Sequence, residues 1–204
     1  MDQLDRSSTR LWKLIEARAK TGADIDQIDQ RIWDLFGEDW TVMFTDLAGF
    51  SRNVAEFGII HFLQVIWEHQ VLLRPIVFEH DGLLLKTEGD SLMLLFRRPR
   101  RAVECALAMQ RACAHVNQRR RPEDQILLCV GIGTGRVLRI GDDDVWGREV
   151  NAASKLGEDT AKAGEILLTR ALREALGDDP GYAFEPIGKV TGSDECFRLL
   201  APGA

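Results

Sequence analysis

At 204 residues, 45% of them hydrophobic and 28% charged, the chain has ordinary globular proportions, enough for one buried core and an extension. Its 26 basic against 32 acidic residues give a net charge of −6, which argues against nucleic acid or an anionic membrane as partner. No apolar run is long enough to cross a bilayer and residues 1–20 hold no signal-peptide core, so the expected setting is cytoplasmic, without membrane insertion.

The elements follow in chain order. Residues 8–36 read as two helices. Leu11, Leu14 and Ile15 share a face of the first, which Thr21-Gly22 stops. The second is capped by Asp24, carries Ile25, Ile28, Ile32, Leu35 and Phe36 at helical spacing, and ends at Gly37. The extension is assigned to residues 1–38 and the main domain to 39–204. "WTVMFTD" (40–46) reads as a strand and residues 58–80 as a long apolar helix that Pro75 kinks or ends early. "LLLKTEGDSLMLLF" (83–96) is two short apolar runs around Gly89, a hairpin with Lys86, Glu88 and Asp90 at or behind its tip. A helix of about 18 residues starts near Pro99, a loop covers "RPEDQ", and residues 126–141 form a glycine-interrupted strand. A helix near Gly147, a strand at "EILLT" and a short β region complete the chain. Cys105, Cys113, Cys129 and Cys196 make no CxxC pair and read as reduced thiols.

From residue 40 the order β-α-β-β-α-β matches the ferredoxin-like split βαβ plan, an α+β fold in which the first strand and the hairpin are sheet neighbours. Asp46 ends that strand and Asp90 sits at the hairpin tip, so both carboxylates emerge at one sheet edge. Two converging carboxylates repel unless a divalent cation lies between them, and Mg²⁺ takes one or two carboxylates with substrate phosphates completing its shell. The "LAGFS" turn after Asp46 offers backbone N–H groups at a helix start, suited to phosphate. Together these suggest a nucleoside triphosphate site with two metals. In "GDDDVWGREVNAASKLGE", Asn151 and Lys155 share a helix face at i, i+4, and Asp142 to Asp144 by default form a solvated loop.

"FTDLAGFS", "KTEGD" and "DVWGREVNAASKL", in this order and spacing, resemble the catalytic domain of the class III nucleotidyl cyclases over about residues 40–170. The resemblance implies a homodimer with active sites at the interface and formation of a 3′,5′-cyclic monophosphate with release of pyrophosphate. It implies that Asp46 and Asp90 hold two Mg²⁺ or Mn²⁺ ions with help from the Leu47 carbonyl. It implies that the backbone of Ala48, Gly49 and Phe50 and the Ser51 hydroxyl hold the β- and γ-phosphates. Lys86 and Asp144 would read the base from the partner subunit, Asn151 would orient the ribose and Lys155 would stabilise the transition state.

The family usually has Arg where Lys155 stands, a bidentate fork replaced by a point charge, and Arg148 one turn earlier is positioned to share the task. Glu88 receives no role. Lys with Asp is the family's adenine pattern, so ATP is the expected substrate. Stand-alone cyclases of this size also include the pyrimidine nucleotide cyclases of phage defence, which keeps cyclic CMP and cyclic UMP open. A nucleotide-binding module without catalysis is a further alternative, and a diguanylate cyclase is disfavoured because "TEGDS" lacks the GGDEF-type signature.

Overall fold

The computed structural model describes residues 7–200, without the side chains of residues 50–53. Two antiparallel helices open it, α1 (Ser7–Arg18) and α2 (Ile25–Phe36). Asp24 caps α2, its carboxylate accepting from the Gln27 N–H at 3.0 Å. Gly37 is extended (φ −74°, ψ 119°) and is already the first residue of β1 (Gly37–Leu47), three residues earlier than the pattern predicts. Helix passes into strand without a connecting loop.

Next come α3 (Phe50–Phe57), α4 (Ile59–Glu79), the hairpin β2 (Leu83–Glu88) and β3 (Ser91–Phe96), and α5 (Pro99–Asn117). Pro75 does not end α4, which continues one turn beyond it. The ring sits on the exposed side, where water can serve the carbonyl that loses its partner. β4 (Leu128–Ile140) and the short β5 (Asp144–Trp146) form an arm, followed by α6 (Arg148–Ser154) and a π-helical turn (Lys155–Thr160). β6 (Ile166–Thr169), α7 (Arg170–Leu176), β7 (Ala183–Val190) and β8 (Ser193–Leu200) close the chain.

The sheet order is β2-β3-β1-β4-β6-β8-β7, with β5 paired to β4. Its first four strands are the expected split βαβ arrangement, with β1 antiparallel to β3 (Thr45 opposite Leu92) and to β4 (Asp46 opposite Cys129). One face carries the larger core, in which Met43, Leu94, Phe96 and Val130 pack against Leu73 of α4 and Val103, Ala106 and Met109 of α5. Each such side chain except Ala106 contributes about 1.5–3 kcal/mol by leaving water. On the opposite face Val42, Met93 and Leu95 lie under Val145 of β5 and Val150 of α6. α1 and α2 pack Leu11, Ile32 and Phe36 onto Ile140 of the β4 arm.

α6 and the π turn lie directly on sheet backbone. A Cβ on Gly131 of β4 would meet the Ala153 carbonyl and the Gly157 nitrogen at 2.2 Å, and one on Gly157 would meet the Phe44 carbonyl at 2.7 Å. Only glycine permits this approach. It fixes the segment holding Asn151 and Lys155 against the strand that carries Asp46.

Candidate active site

β1 delivers Asp46 to the sheet edge and the β2–β3 turn delivers Asp90 beside it. Gly89, at φ 59°, takes the left-handed conformation that turns the chain sharply enough to do so. The Ser91 hydroxyl donates to Asp46 Oδ1 at 3.2 Å. Asp90 Oδ2 is buried without a hydrogen-bond partner. Burial, then the neighbouring Asp90, push the Asp46 carboxyl up to about 6, against the opposing hydrogen bonds from Ser91 and the Leu47 N–H. Asp90 is raised as well, chiefly by burial. Each carboxyl is raised beside the other, a like-charge tension that a divalent cation relieves. An orphaned carboxylate oxygen facing a second carboxylate fits such an ion, with the Leu47 carbonyl alongside in sequence.

The phosphate turn differs in one respect from expectation. The Ala48 N–H donates to the Leu127 carbonyl at 2.9 Å, so that amide is committed to the sheet and an anion would meet the backbone from Gly49 onward. Gly49 is left-handed (φ 88°) and precedes the first turn of α3. The side chains of Phe50 and Ser51 lie outside the described residues.

Lys86 and Asp144 are brought together, with Lys86 Nζ 2.9 Å from Asp144 Oδ2, both half-buried. The contact forms because the β4–β5 arm folds over the sheet face that carries Met93, the cross-strand partner of Lys86. Asp144 is therefore strand, not solvated loop, and its Oδ1 accepts from the Val145 N–H at 2.9 Å. The pair lines a cavity of about 180 Å³ whose apolar walls are Phe44, Met93, Val145 and Val150.

Asn151 and Lys155 are both exposed, one helical turn apart. Lys155 is paired with Asp159 across the π turn. Arg148 is engaged elsewhere: its guanidinium donates to the Gly192 carbonyl in the β7–β8 turn and to Asp194 (3.2 Å) at the start of β8.

Three polar residues of the cavity had been given no role from the sequence: Ser91, Glu88 and Glu158. Glu88 stands opposite Ser91 across the hairpin, and Glu158, reached through the π turn, adds negative potential at Asp46. Position offered one usable signal, since a residue two beyond Lys86 on a strand shares its face.

Two facing carboxylates at the edge of a split βαβ sheet, beside a lysine–aspartate cavity, are the architecture of a cyclase catalytic domain. The adenylate and guanylate cyclase catalytic domain family matches residues 37–195, and the chain belongs to that family, the class III nucleotidyl cyclases. It is 33% identical over 164 residues to the serine/threonine-protein kinase pkn2 of Myxococcus xanthus, covering 79% of this chain and 19% of that protein. It is also 33% identical over 136 residues to putative adenylate cyclase 3 of Rhizobium meliloti, covering 65% of this chain and 22% of that protein. The chain thus spans about a fifth of the length of these relatives. Among solved structures, the adenylate/guanylate cyclase/hydrolase from Silicibacter pomeroyi superposes with a TM-score of 0.68 at 22% identity, covering 82% of this chain and 99% of the other. The adenylyl cyclase CyaB from P. aeruginosa gives 0.68 at 22% identity, with coverages of 80% and 94%.

Proposed function

We propose that the chain converts ATP to 3′,5′-cyclic AMP and pyrophosphate, as a homodimer whose sites combine the carboxylates of one copy with the Lys86–Asp144 cavity of the other. The observation that carries this reading is the Asp46–Asp90 pair with its unpartnered buried oxygen, in a domain of the cyclase family.

Asp46, Asp90 and the Leu47 carbonyl would hold Mg²⁺ or Mn²⁺. When bound, the ions supply charge neutralisation on the triphosphate and acidify the ribose 3′-OH. The chain's own residues position the substrate. Backbone from Gly49 into α3 points N–H groups and the helix dipole at phosphate oxygens. The cavity walls Phe44, Met93 and Val150 exclude water from the base. Asp144 accepts from the exocyclic amine while Lys86 donates to a ring nitrogen, which requires the 2.9 Å ion pair between them to open around the base. Asn151 orients the ribose, and Lys155, on leaving Asp159, meets the charge that develops on the α-phosphate as the 3′-oxygen attacks and pyrophosphate departs.

The test is to incubate the protein separately with ATP, GTP, CTP and UTP, with Mn²⁺ and then Mg²⁺, and to identify products by mass. Cyclic AMP as main product supports the assignment. Cyclic CMP or UMP would keep the carboxylate chemistry and overturn the base reading, and no product from any of the four would favour a binding module.

A further inference from the structure

A helix on the surface of a domain normally turns a polar face to water. α4 does not. Its inner face fills the larger core, yet its outer face carries Ile60 at 81% exposure, Leu63 at 55%, Trp67 at 64%, Val71 at 53% and Phe78 at 84%. Gln64, Arg74 and Glu79 are the polar residues among its exposed positions. Side chains of these sizes at these exposures present roughly 700 Å² of apolar surface. The largest apolar patch of a typical monomer is about 300–600 Å², and a stable interface takes about 800 Å² from each partner.

The stripe is also symmetric along the helix. Set antiparallel on a second α4 with the twofold axis near position 69, Ile60 meets Phe78, Leu63 meets Pro75 and Trp67 meets Val71, while Gln64 meets Arg74. Each of the five stripe residues finds an apolar partner and Arg74 finds an amide, as an isologous contact requires, while Ile59 and Glu79 meet at the ends of the contact. Beside Phe78 an apolar groove of about 340 Å³, floored by Leu84, Leu92 and Leu94, lies open where Ile59 and Ile60 of the second copy would arrive.

We infer that the outer face of α4 is a docking surface for a second copy of this chain, through an antiparallel α4–α4 contact. This is a second association surface. The lysine–aspartate cavity opens on the opposite face of the sheet, so the inference does not rest on the catalytic dimer and either can fail alone.

Sedimentation equilibrium of the full chain tests it. Trp67→Glu and Phe78→Lys should each halve the assembly mass relative to wild type with unchanged far-ultraviolet circular dichroism. The fall is from tetramer to dimer if the catalytic dimer also forms, and from dimer to monomer if it does not. Independently of any variant that misfolds, mixed Ile60→Cys and Phe78→Cys chains should form an inter-chain disulfide on mild oxidation. The two positions lie about 27 Å apart within one helix and cannot bridge in one chain. Equal masses for wild type and both variants, with no 60–78 disulfide, overturn the inference. So does Trp67-dependent cosedimentation with phosphatidylcholine vesicles in the absence of that disulfide, which would assign the face to a membrane.

Discussion

Replacing Asp90 with Asn should make the metal-free protein more stable and the metal-loaded protein less so. Asp46 is displaced from 3.8 to about 6, by burial first and Asp90 second. A shift of about two units corresponds to ~3 kcal/mol, reduced to ~2 kcal/mol because the group is partly solvated. A carboxyl raised in the folded state destabilises it when ionised, so this cost is absent below about pH 4, grows as pH rises toward 6 and is complete above that. Asn at position 90 removes the like charge but leaves the burial, and so recovers about 1 kcal/mol at pH 7.5, a rise of about 2–4 °C in Tm for a chain of this size. Mn²⁺ at a hundredfold excess over its Kd should stabilise wild type by about 2.7 kcal/mol and the variant hardly at all. Differential scanning calorimetry with and without Mn²⁺, at pH 5 and 7.5, reads both effects. An Asp90→Asn protein that melts lower than wild type without metal, or that still responds fully to Mn²⁺, would refute the account of this pair.

Other expectations are as direct. Lys155→Arg should raise kcat severalfold in a steady-state assay of cyclic product, because a guanidinium can grip phosphate bidentately while keeping one arm on Asp159; a large loss would mean the π turn shapes the site for an ammonium. His69 is fully buried in α4 with neither ring nitrogen partnered, and burial holds it down near 4. Its neutral form contributes stability that is complete above about pH 6.5 and lost as pH falls toward 4. His69→Leu should therefore move the acid-unfolding midpoint to lower pH and add about 1–3 kcal/mol by removing unpaired polar atoms, read by urea melts between pH 4 and 7.

The meeting of the two carboxylates was legible from the residues because it depends on topology. Once β1 and the hairpin are neighbours, a carboxylate ending one and a carboxylate at the tip of the other must meet. The lysine–aspartate contact was not legible that way. Lys86 and Asp144 are far apart in sequence and touch only because the β4–β5 arm folds across the sheet, so their pairing came from the family resemblance. The π turn eluded the pattern because it alters register without altering the order of apolar residues. α7, "RALREAL", is too short for periodicity to announce, and the three aspartates of 142–144 hid a strand residue among turn residues. Of the two effects read for Pro75, ending the helix is not seen, because the ring lies on the solvent side and α4 continues past it. The apolar character of residues 58–80 was plain in the sequence; that half of it faces outward required the fold.

The claim that one nucleotide is worked on by two copies is tested most directly by mixing two inactive proteins. Asp46→Ala removes the metal end and Lys86→Ala the base end. Each should make no cyclic AMP alone. Mixed in equal amounts and allowed to exchange subunits, half of the dimers carry one intact site of two, so about a quarter of the wild-type rate should return. No recovery in a mixture shown by native mass spectrometry to contain the mixed dimer would contradict the account and place both ends of the site within a single chain.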